Sequence, residues 1–232
     1  MLFKTFSAAV FGIDAYLVEV EVDVGPGHPG DFNVVGLPDI AVKESRERIK
    51  SALRNCGFDF PSYQAVTVNL APADIRKEGS AFDLPMALGV LGCQGTFFGK
   101  TLDAYVFLGE LSLDGSVRSV RGALSAALAA RDRGIRNVIV PEANAREAAV
   151  VEGIQVFGVK SLPQAADMIN APGSAQGIDG FLQAGVFGTD GRETGRVRSV
   201  VWREAGDTIR CGHGGYQRLD RPLRDAFRLP EN

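Results

Sequence analysis

The chain has 232 residues, a length that suits one or two domains with a substantial hydrophobic core. It is 45% hydrophobic and 23% charged, proportions that exclude a collagen, a coiled coil and a fully disordered protein. The net charge of -3 provides no general basic field to hold nucleic acid. Three cysteines without a CxxC pair make a disulfide framework unexpected and fit a reducing compartment.

The first fourteen residues combine one lysine with a short apolar stretch, as a secretion signal would. Gly12 and Asp14 interrupt that stretch, however, and a strand pattern follows at once. No apolar run in the sequence approaches the roughly 20 residues of a transmembrane helix. The sequence therefore predicts a cytoplasmic protein with no membrane contact.

The amino-terminal half begins with three predicted strands and a helix. Valines alternate with acidic residues over 16–24, which predicts a strand with one apolar face, and residues 4–11 form a strand before it. The run FNVVGL predicts a short strand. Apolar spacing of seven, four and three predicts a helix from Asp39 to about Asn55. Its charged residues form a predicted solvated side: Lys43, Glu44, Arg46, Glu47, Arg48 and Lys50.

The rest of the first 171 residues alternates strands and helices. Residues 64–72 predict a strand and Ala81–Cys93 a mostly buried helix. The run 104–111 predicts one strand of a hairpin, with 116–120 as the other. Further helices are predicted at 123–134, 143–151 and 162–170, and further strands at 137–141 and 154–159. This order predicts an α/β fold, a layered mixed sheet covered by helices.

Residues 173–232 differ in composition from everything before them. They hold 11 of the 28 glycines and nine arginines but no lysine, and their apolar periodicity is poor. Such a segment can bury little apolar surface, so residues 172–232 are predicted to form a poorly packed or partly disordered extension.

The most informative stretch for function is NLAPADIRKEGSAFDLPMAL, residues 69–88. A predicted strand ends in a loop that carries Arg76, Lys77 and Glu78. Gly79 permits a sharp turn, and Ser80 is placed to cap the next helix by accepting a hydrogen bond from the N–H of Asp83. The Asp83 side chain could in turn accept from the N–H of Ser80. We favour a capped loop-to-helix joint; the alternative is an anion or nucleophile site at the helix start.

Motifs for cofactors are missing from the sequence. There is neither GxxxxGK[ST] nor GxGxxG, so no phosphate-binding loop or dinucleotide turn is encoded. His28 and His213 are the two histidines, and the Cys211-Gly212-His213 fragment falls short of the four ligands usual in a structural zinc site. We therefore predict no cofactor and no metal.

Three long runs resemble a known family: VVGLPDIAVKESRERIKSALRNCGFDFP, VTVNLAPADIRKEGSAFDLPMALGVL and FLGELSLDGSVRSVRGALSAALAARDRGIRNVIVPEANAREAA. Together they resemble the amino-terminal domain of Mg-chelatase-like AAA+ ATPases, the YifB/ComM family, over residues 1–171. The resemblance implies a fold like the proteolytic domain of Lon and the carboxy-terminal domain of RadA. It also implies an AAA+ ATPase module or self-association as partner, and a role in DNA branch migration during natural transformation.

The resemblance stops near Asn170, and no ATPase module with Walker motifs follows. Residues 172–232 would then stem from a truncated or rearranged gene. The resemblance also allows the Ser–Lys dyad of Lon to be sought here. An ungapped match places Ala81 at the nucleophile, a one-residue shift places Ser80 there, and Leu124 lies at the lysine position.

Leucine cannot accept the proton of a serine nucleophile, so we expect no catalytic residues and a non-catalytic accessory domain. Two alternatives stay open. One is a Lon-like serine peptidase that uses Ser80 with Lys77. The other is a small nucleic-acid-binding module that uses Arg76, Lys77 and the arginines of the extension, Arg192, Arg196, Arg198 and Arg203.

Overall fold

The computed structural model describes residues 1–97 and 102–171, and beyond them three short strands. Within these residues lie five helices: α1 (Ile40–Asn55), α2 (Asp83–Cys93), α3 (Ala123–Asp132), α4 (Glu142–Ala148) and α5 (Leu162–Asn170). The strands are β1 (Leu2–Phe11), β2 (Asp14–Gly25), β3 (Phe32–Val35), β4 (Ala65–Ala71), β5 (Tyr105–Phe107), β6 (Glu110–Leu111), β7 (Val117–Arg118), β8 (Asn137–Pro141), β9 (Gln155–Val159), β10 (Gly185–Val186), β11 (Val200–Glu204) and β12 (Asp207–Arg210).

Seven strands form the main sheet in the order β3-β4-β2-β1-β5-β8-β9. Strand β2 pairs antiparallel with both of its neighbours, β1 and β4. The other pairings, β3 with β4, β1 with β5, β5 with β8 and β8 with β9, are parallel. Six strands therefore run in one direction, and their last residues meet along one side of the sheet, which we call the carboxyl edge.

Helices cover both faces of this sheet, because alternate strand residues enter two separate hydrophobic clusters. In β8, Ile139 packs with residues of α1, α2 and α5, whereas Val138 and Val140 pack with residues of α3 and α4. Helix α2 is the centre of the first cluster, and every one of its residues is buried. The predicted α/β fold, a mixed sheet covered by helices, is confirmed.

Most predicted elements are confirmed to within a few residues, and α5 has the predicted bounds. The prediction of one strand over 104–111 is wrong. Its first part, β5, belongs to the main sheet, and its last part, β6, pairs with β7 in a separate ribbon. Gly109 lies at the break, where its carbonyl accepts from Leu84 N at 3.0 Å and its N–H donates to Ala81 O at 3.0 Å. The start of α2 therefore takes the backbone groups that a continuous strand would use.

The predicted extension lies outside the described residues apart from β10, β11 and β12, which pair antiparallel as a three-stranded sheet. In the part of the chain that the structure describes, no helix has the length and apolar character needed to cross a membrane.

Candidate functional site

The residues singled out in the sequence lie at the carboxyl edge of the main sheet. The turn between β1 and β2, the segment between β3 and α1 and the loop 72–82 all lie there, because each begins where a strand of this edge ends. In open α/β sheets the carboxyl ends of strands are the usual place for binding sites. The carboxyl edge is therefore the candidate functional site.

Asp83 forms a buried joint between α1, α2 and β6. Arg48 Nε donates to Asp83 Oδ2 at 2.6 Å, and Arg48 Nη2 donates to Oδ1 at 3.0 Å. The backbone N–H of Leu111 donates to Oδ2 at 3.1 Å, and the Ser45 hydroxyl donates to Oδ1. Burial raises the pKa of the Asp83 carboxyl above its usual 3.8, and the bonds from Arg48 and Ser45 oppose that rise. This carboxyl group therefore orients two helices, and its lone pairs are occupied.

This arrangement corrects two predictions. Arg48 does not belong to a solvated side of α1, since 22% of its side chain is exposed and it pairs with Asp83. The Asp83 side chain also does not accept from Ser80 N–H, because among the described residues its donors lie in α1 and β6.

Ser80 does not cap α2 with its side chain. The helix begins after Phe82 without a side-chain cap, and the N–H of Asp83 donates to the backbone carbonyl of Ser80 at 3.2 Å. The Ser80 hydroxyl instead donates to the Glu110 carboxylate. Glu110 is partly exposed, with Arg118 Nη1 at 3.9 Å from its other oxygen. The cap prediction is wrong because the intended donor, the N–H of Asp83, bonds to the Ser80 backbone carbonyl, while the hydroxyl is turned toward the Glu110 carboxylate.

Lys77 is completely buried, whereas Arg76 and Glu78 on either side of it are exposed. Its amine donates to the carbonyl of Pro72, which is the one partner that the described residues provide for it. Burial lowers the pKa of the Lys77 amine below its usual 10.5, and nearby Asp74 opposes that effect. The amine therefore has no hydrogen bond to Ser80.

The backbone around Lys77 joins two loops of the carboxyl edge. Lys77 N donates to Leu37 O at 3.1 Å, and Asp39 N donates to Lys77 O at 2.9 Å. Asp39 completes the junction with its side chain, accepting from Gly79 N at 3.1 Å and, as the cap of α1, from Val42 N at 2.8 Å. The segment before α1 and the loop before α2 are thus one hydrogen-bonded unit.

Two apolar side chains of this hydrogen-bonded unit, Leu37 and Ile40, are exposed to solvent. Gly36 has φ +98, and a Cβ there would lie 2.1 Å from Leu70 O, so no other residue fits. Leu37 follows with φ +56, a left-handed conformation unusual for leucine, and its side chain is 55% exposed. Ile40 is 76% exposed. We call Leu37, Ile40, Arg76 and Glu78 the platform; its two apolar members are not among the site residues predicted from the sequence.

A second group of exposed apolar residues lies at the same edge. Phe11 and Ile13 at the turn between β1 and β2 are 78% and 88% exposed, and Tyr16 is 48% exposed. Contiguous patches of such side chains, unlike single exposed residues, are characteristic of surfaces that contact another molecule.

The structure thus separates the six predicted site residues into two groups. Arg76 and Glu78 face solvent as an ion pair at 3.2 Å, and the other four build the joint and the loop junction: Lys77, Gly79, Ser80 and Asp83. Among the described residues no group of three or more His, Cys, Asp and Glu side chains could hold a metal ion. Cys211 and His213 lie outside the described residues.

Comparison with known proteins gives the chain a family. The sequence model for subunit ChlI of Mg-chelatase matches residues 20–144. An uncharacterized protein of Mycobacterium tuberculosis is 46% identical over 161 residues, covering 69% of this chain and 32% of that protein. Competence protein ComM of Haemophilus influenzae is 40% identical over 165 residues, with 71% and 32% covered. Lon protease 2 of Bacillus subtilis is 27% identical over 184 residues, also with 71% and 32% covered. The chain spans about a third of the length of these curated relatives.

Proposed function

Because the chain belongs to the family of Mg-chelatase subunit ChlI, we propose that it is a non-catalytic accessory domain that associates with an AAA+ ATPase module. The docking surface is the carboxyl edge, centred on the platform. The relatives are about three times as long as the matched region, which supports an association with further protein.

The observation that carries this proposal is Leu37. A leucine in the left-handed region costs about 1–2 kcal/mol, and an exposed side chain regains little of that cost within the chain. The junction through Lys77 and Asp39 maintains this conformation. Such strain at a surface is expected where a second molecule contacts the side chain.

The peptidase alternative is less well supported by the same geometry. In the Lon-like alternative the base is the amine of Lys77, and the Ser80 hydroxyl donates to the Glu110 carboxylate instead of to that amine. The amine of Lys77 is buried and donates to Pro72. The identity to Lon protease 2 supports a shared domain, but the dyad positions, Ala81 and Leu124 in the ungapped match, do not support its chemistry.

Direct DNA contact through this loop is also less well supported. Lys77 cannot reach a phosphate from a fully buried position, and Arg76 is paired with Glu78. The similarity to a competence protein supports a setting in DNA uptake and recombination, where branch migration would be the work of the complete assembly. The accessory domain would contribute to that work by docking.

Binding to the part of ComM that this chain does not match tests the proposal. We expect the chain to bind that part, and the matched region of ComM itself serves as the positive control. Ile40→Asp should abolish binding because it places a charge on the platform. Tyr63→Asp is the matched control, since Tyr63 is 91% exposed before the start of β4, at the opposite edge of the sheet.

Two outcomes would contradict the proposal. One is equal binding by Ile40→Asp and the wild type. The other is binding by the matched region of ComM without any binding by this chain. Isothermal titration calorimetry measures the affinity of the wild type, Ile40→Asp, Tyr63→Asp and the matched region of ComM for the unmatched part of ComM.

A further inference from the structure

We propose that β2 receives an extended segment of the ATPase module as an added strand, along its open edge at Ala15 and Leu17. The inference rests on the proposed function, because it takes the ATPase module as the partner at the carboxyl edge. It names the kind of segment that this partner supplies. The evidence is a set of backbone groups that the sheet leaves without partners.

The hairpin of β1 and β2 extends beyond the strand that flanks it. Strands β1 and β2 pair as far as Phe11 and Asp14, whereas β4 pairs only with residues 19–25 of β2. The loop after β4 turns toward β3, because the backbone of Lys77 is hydrogen-bonded to the segment between β3 and α1. Within the part of the chain that the structure describes, residues 14–18 therefore have no neighbouring strand on that side.

The register of the hairpin shows which backbone groups are open. Met1 and Val24 exchange both of their backbone hydrogen bonds. Such pairs alternate along an antiparallel ladder, so the even-numbered residues of β2 bond to β1 and the odd-numbered ones face the side of β4. Ala15 and Leu17 are odd-numbered and lie beyond β4. Their N–H and C=O groups have no backbone partner among the described residues.

These open groups select an extended polypeptide as the occupant. Donors and acceptors that alternate along a strand edge are complemented by the backbone of another strand. A helix has used its own backbone groups, and a polyanion offers acceptors alone. Residues 15–18 also contain neither a lysine nor a proline, the residue types that often block pairing at an exposed edge.

The side chains beside this edge define the character of the added segment. Tyr16 is 48% exposed and has Phe11 as its diagonal neighbour on the same face, because Phe11 pairs with Asp14. Ala15 and Leu17 lie on the opposite face, where they pack against the cluster beneath α3 and α4. A segment with apolar side chains on both of its faces therefore fits, since it would contact Tyr16 on one side and Leu17 on the other.

Amide hydrogen exchange of the full chain, followed by NMR, tests the added strand directly. In the free chain the amides of Ala15 and Leu17 should exchange about tenfold faster or more than those of Tyr16 and Val18, which bond to β1. With the unmatched part of ComM in excess, exchange at Ala15 and Leu17 should slow by about tenfold or more, because their N–H groups then have acceptors.

A proline variant tests whether the open N–H group contributes to binding. Ala15→Pro removes an N–H that points away from β1, so the hairpin keeps its own hydrogen bonds. Its affinity for the unmatched part of ComM should fall by about tenfold. Ala15→Val adds similar bulk but retains the N–H, and it should bind like the wild type. Circular dichroism verifies that both variants are folded.

Protection of both amides in the complex, together with weaker binding by Ala15→Pro alone, supports the proposal. Binding without this protection, or equal binding by the proline and valine variants, would overturn the added strand and leave the proposed function in place. Protection already present in the free chain would also overturn it, because the edge would then be occupied by this chain itself or by a second copy. A wild type that does not bind at all contradicts both proposals.

Discussion

Two buried charges lie six residues apart at the candidate site, Lys77 in the loop and Asp83 in the helix that follows. Asp83 accepts hydrogen bonds from Ser45, Arg48 and Leu111, whereas the Lys77 amine has the single acceptor Pro72. Burial raises the pKa of the Asp83 carboxyl and lowers the pKa of the Lys77 amine, and in both cases it favours the neutral form.

The difference shows what each charge contributes. A fully bonded carboxylate holds its neighbours in place, because they would be left without a partner if it were lost. A buried amine with one acceptor contributes less to stability. Its burial leaves Arg76 and Glu78 facing outward and brings its backbone against Leu37. The first region is therefore a structural joint, and the second is the support of a surface.

The largest effect is expected at the joint. Asp83→Asn turns an amide N–H₂ toward groups that donate to Asp83, and it removes the charge that Arg48 pairs with. The free energy of unfolding should fall by about 3 kcal/mol. Urea denaturation measures the change.

A double-mutant cycle assigns that loss to the pair. Arg48→Met alone should also destabilise the protein, and the double variant should lose clearly less than the sum of the two single losses. Additive losses would mean that Asp83 acts on its surroundings independently of Arg48.

Ser80 provides a second test of the joint. Ser80→Ala removes one hydrogen bond to the Glu110 carboxylate, so the free energy of unfolding should fall by about 1 kcal/mol. A fluorophosphonate probe should not label the wild-type protein at Ser80. Labelling that Ser80→Ala abolishes would instead establish an activated nucleophile.

At Lys77 we expect a small change at neutral pH and a distinct pH dependence. Lys77→Met should alter the free energy of unfolding by less than about 1 kcal/mol at pH 7, because the buried charge and the bond to Pro72 are lost together. The folded-state pKa of Lys77 lies below 10.5, so the unfolded chain binds more protons between the two values. Wild-type stability should therefore rise relative to Lys77→Met as the pH approaches 10.5.

Denaturation of both proteins over that pH range measures the effect, and Lys43→Met, which removes an exposed lysine, controls for the loss of charge. A stability difference that stays constant with pH would show that Lys77 titrates alike in the folded and unfolded states.

The smallest effect concerns the surface that Lys77 supports. Asparagine tolerates the left-handed region better than leucine does, so Leu37→Asn should raise the free energy of unfolding by about 0.5 kcal/mol. The same variant should bind the unmatched part of ComM more weakly. Stabilisation together with unchanged binding would remove Leu37 from the docking surface.

Local patterns predicted most of the fold because the periodicity of an element with one buried face is visible within the element's own sequence. The valine alternation of β2 and the apolar spacing of α1 each place one face in the core. The largely apolar run at 104–111 misled the prediction, because the break at Gly109 depends on hydrogen bonds to the start of α2, more than twenty residues away.

The site was less predictable for the same reason. The loop and its residue types were predicted. The partners of Asp83 on α1, however, are Arg48 and Ser45, which lie 35 and 38 residues away in the sequence, and the charge pattern of α1 predicted that Arg48 faces solvent. The exposure of Leu37 depends on a backbone conformation, and the glycine before it is the one local sign of that turn.

Strand β2, the one strand of the main sheet that runs against the others, has a consequence for how the molecule acquires its shape. The hairpin of β1 and β2 closes through a two-residue turn, whereas pairing of β1 with β5 joins Phe6 to Val106. Hairpins form within microseconds, and distant parallel pairings are slow. During synthesis this pair of strands is complete before β4 and β5 emerge from the ribosome, so β4 can add to one flank of it and β5 to the other.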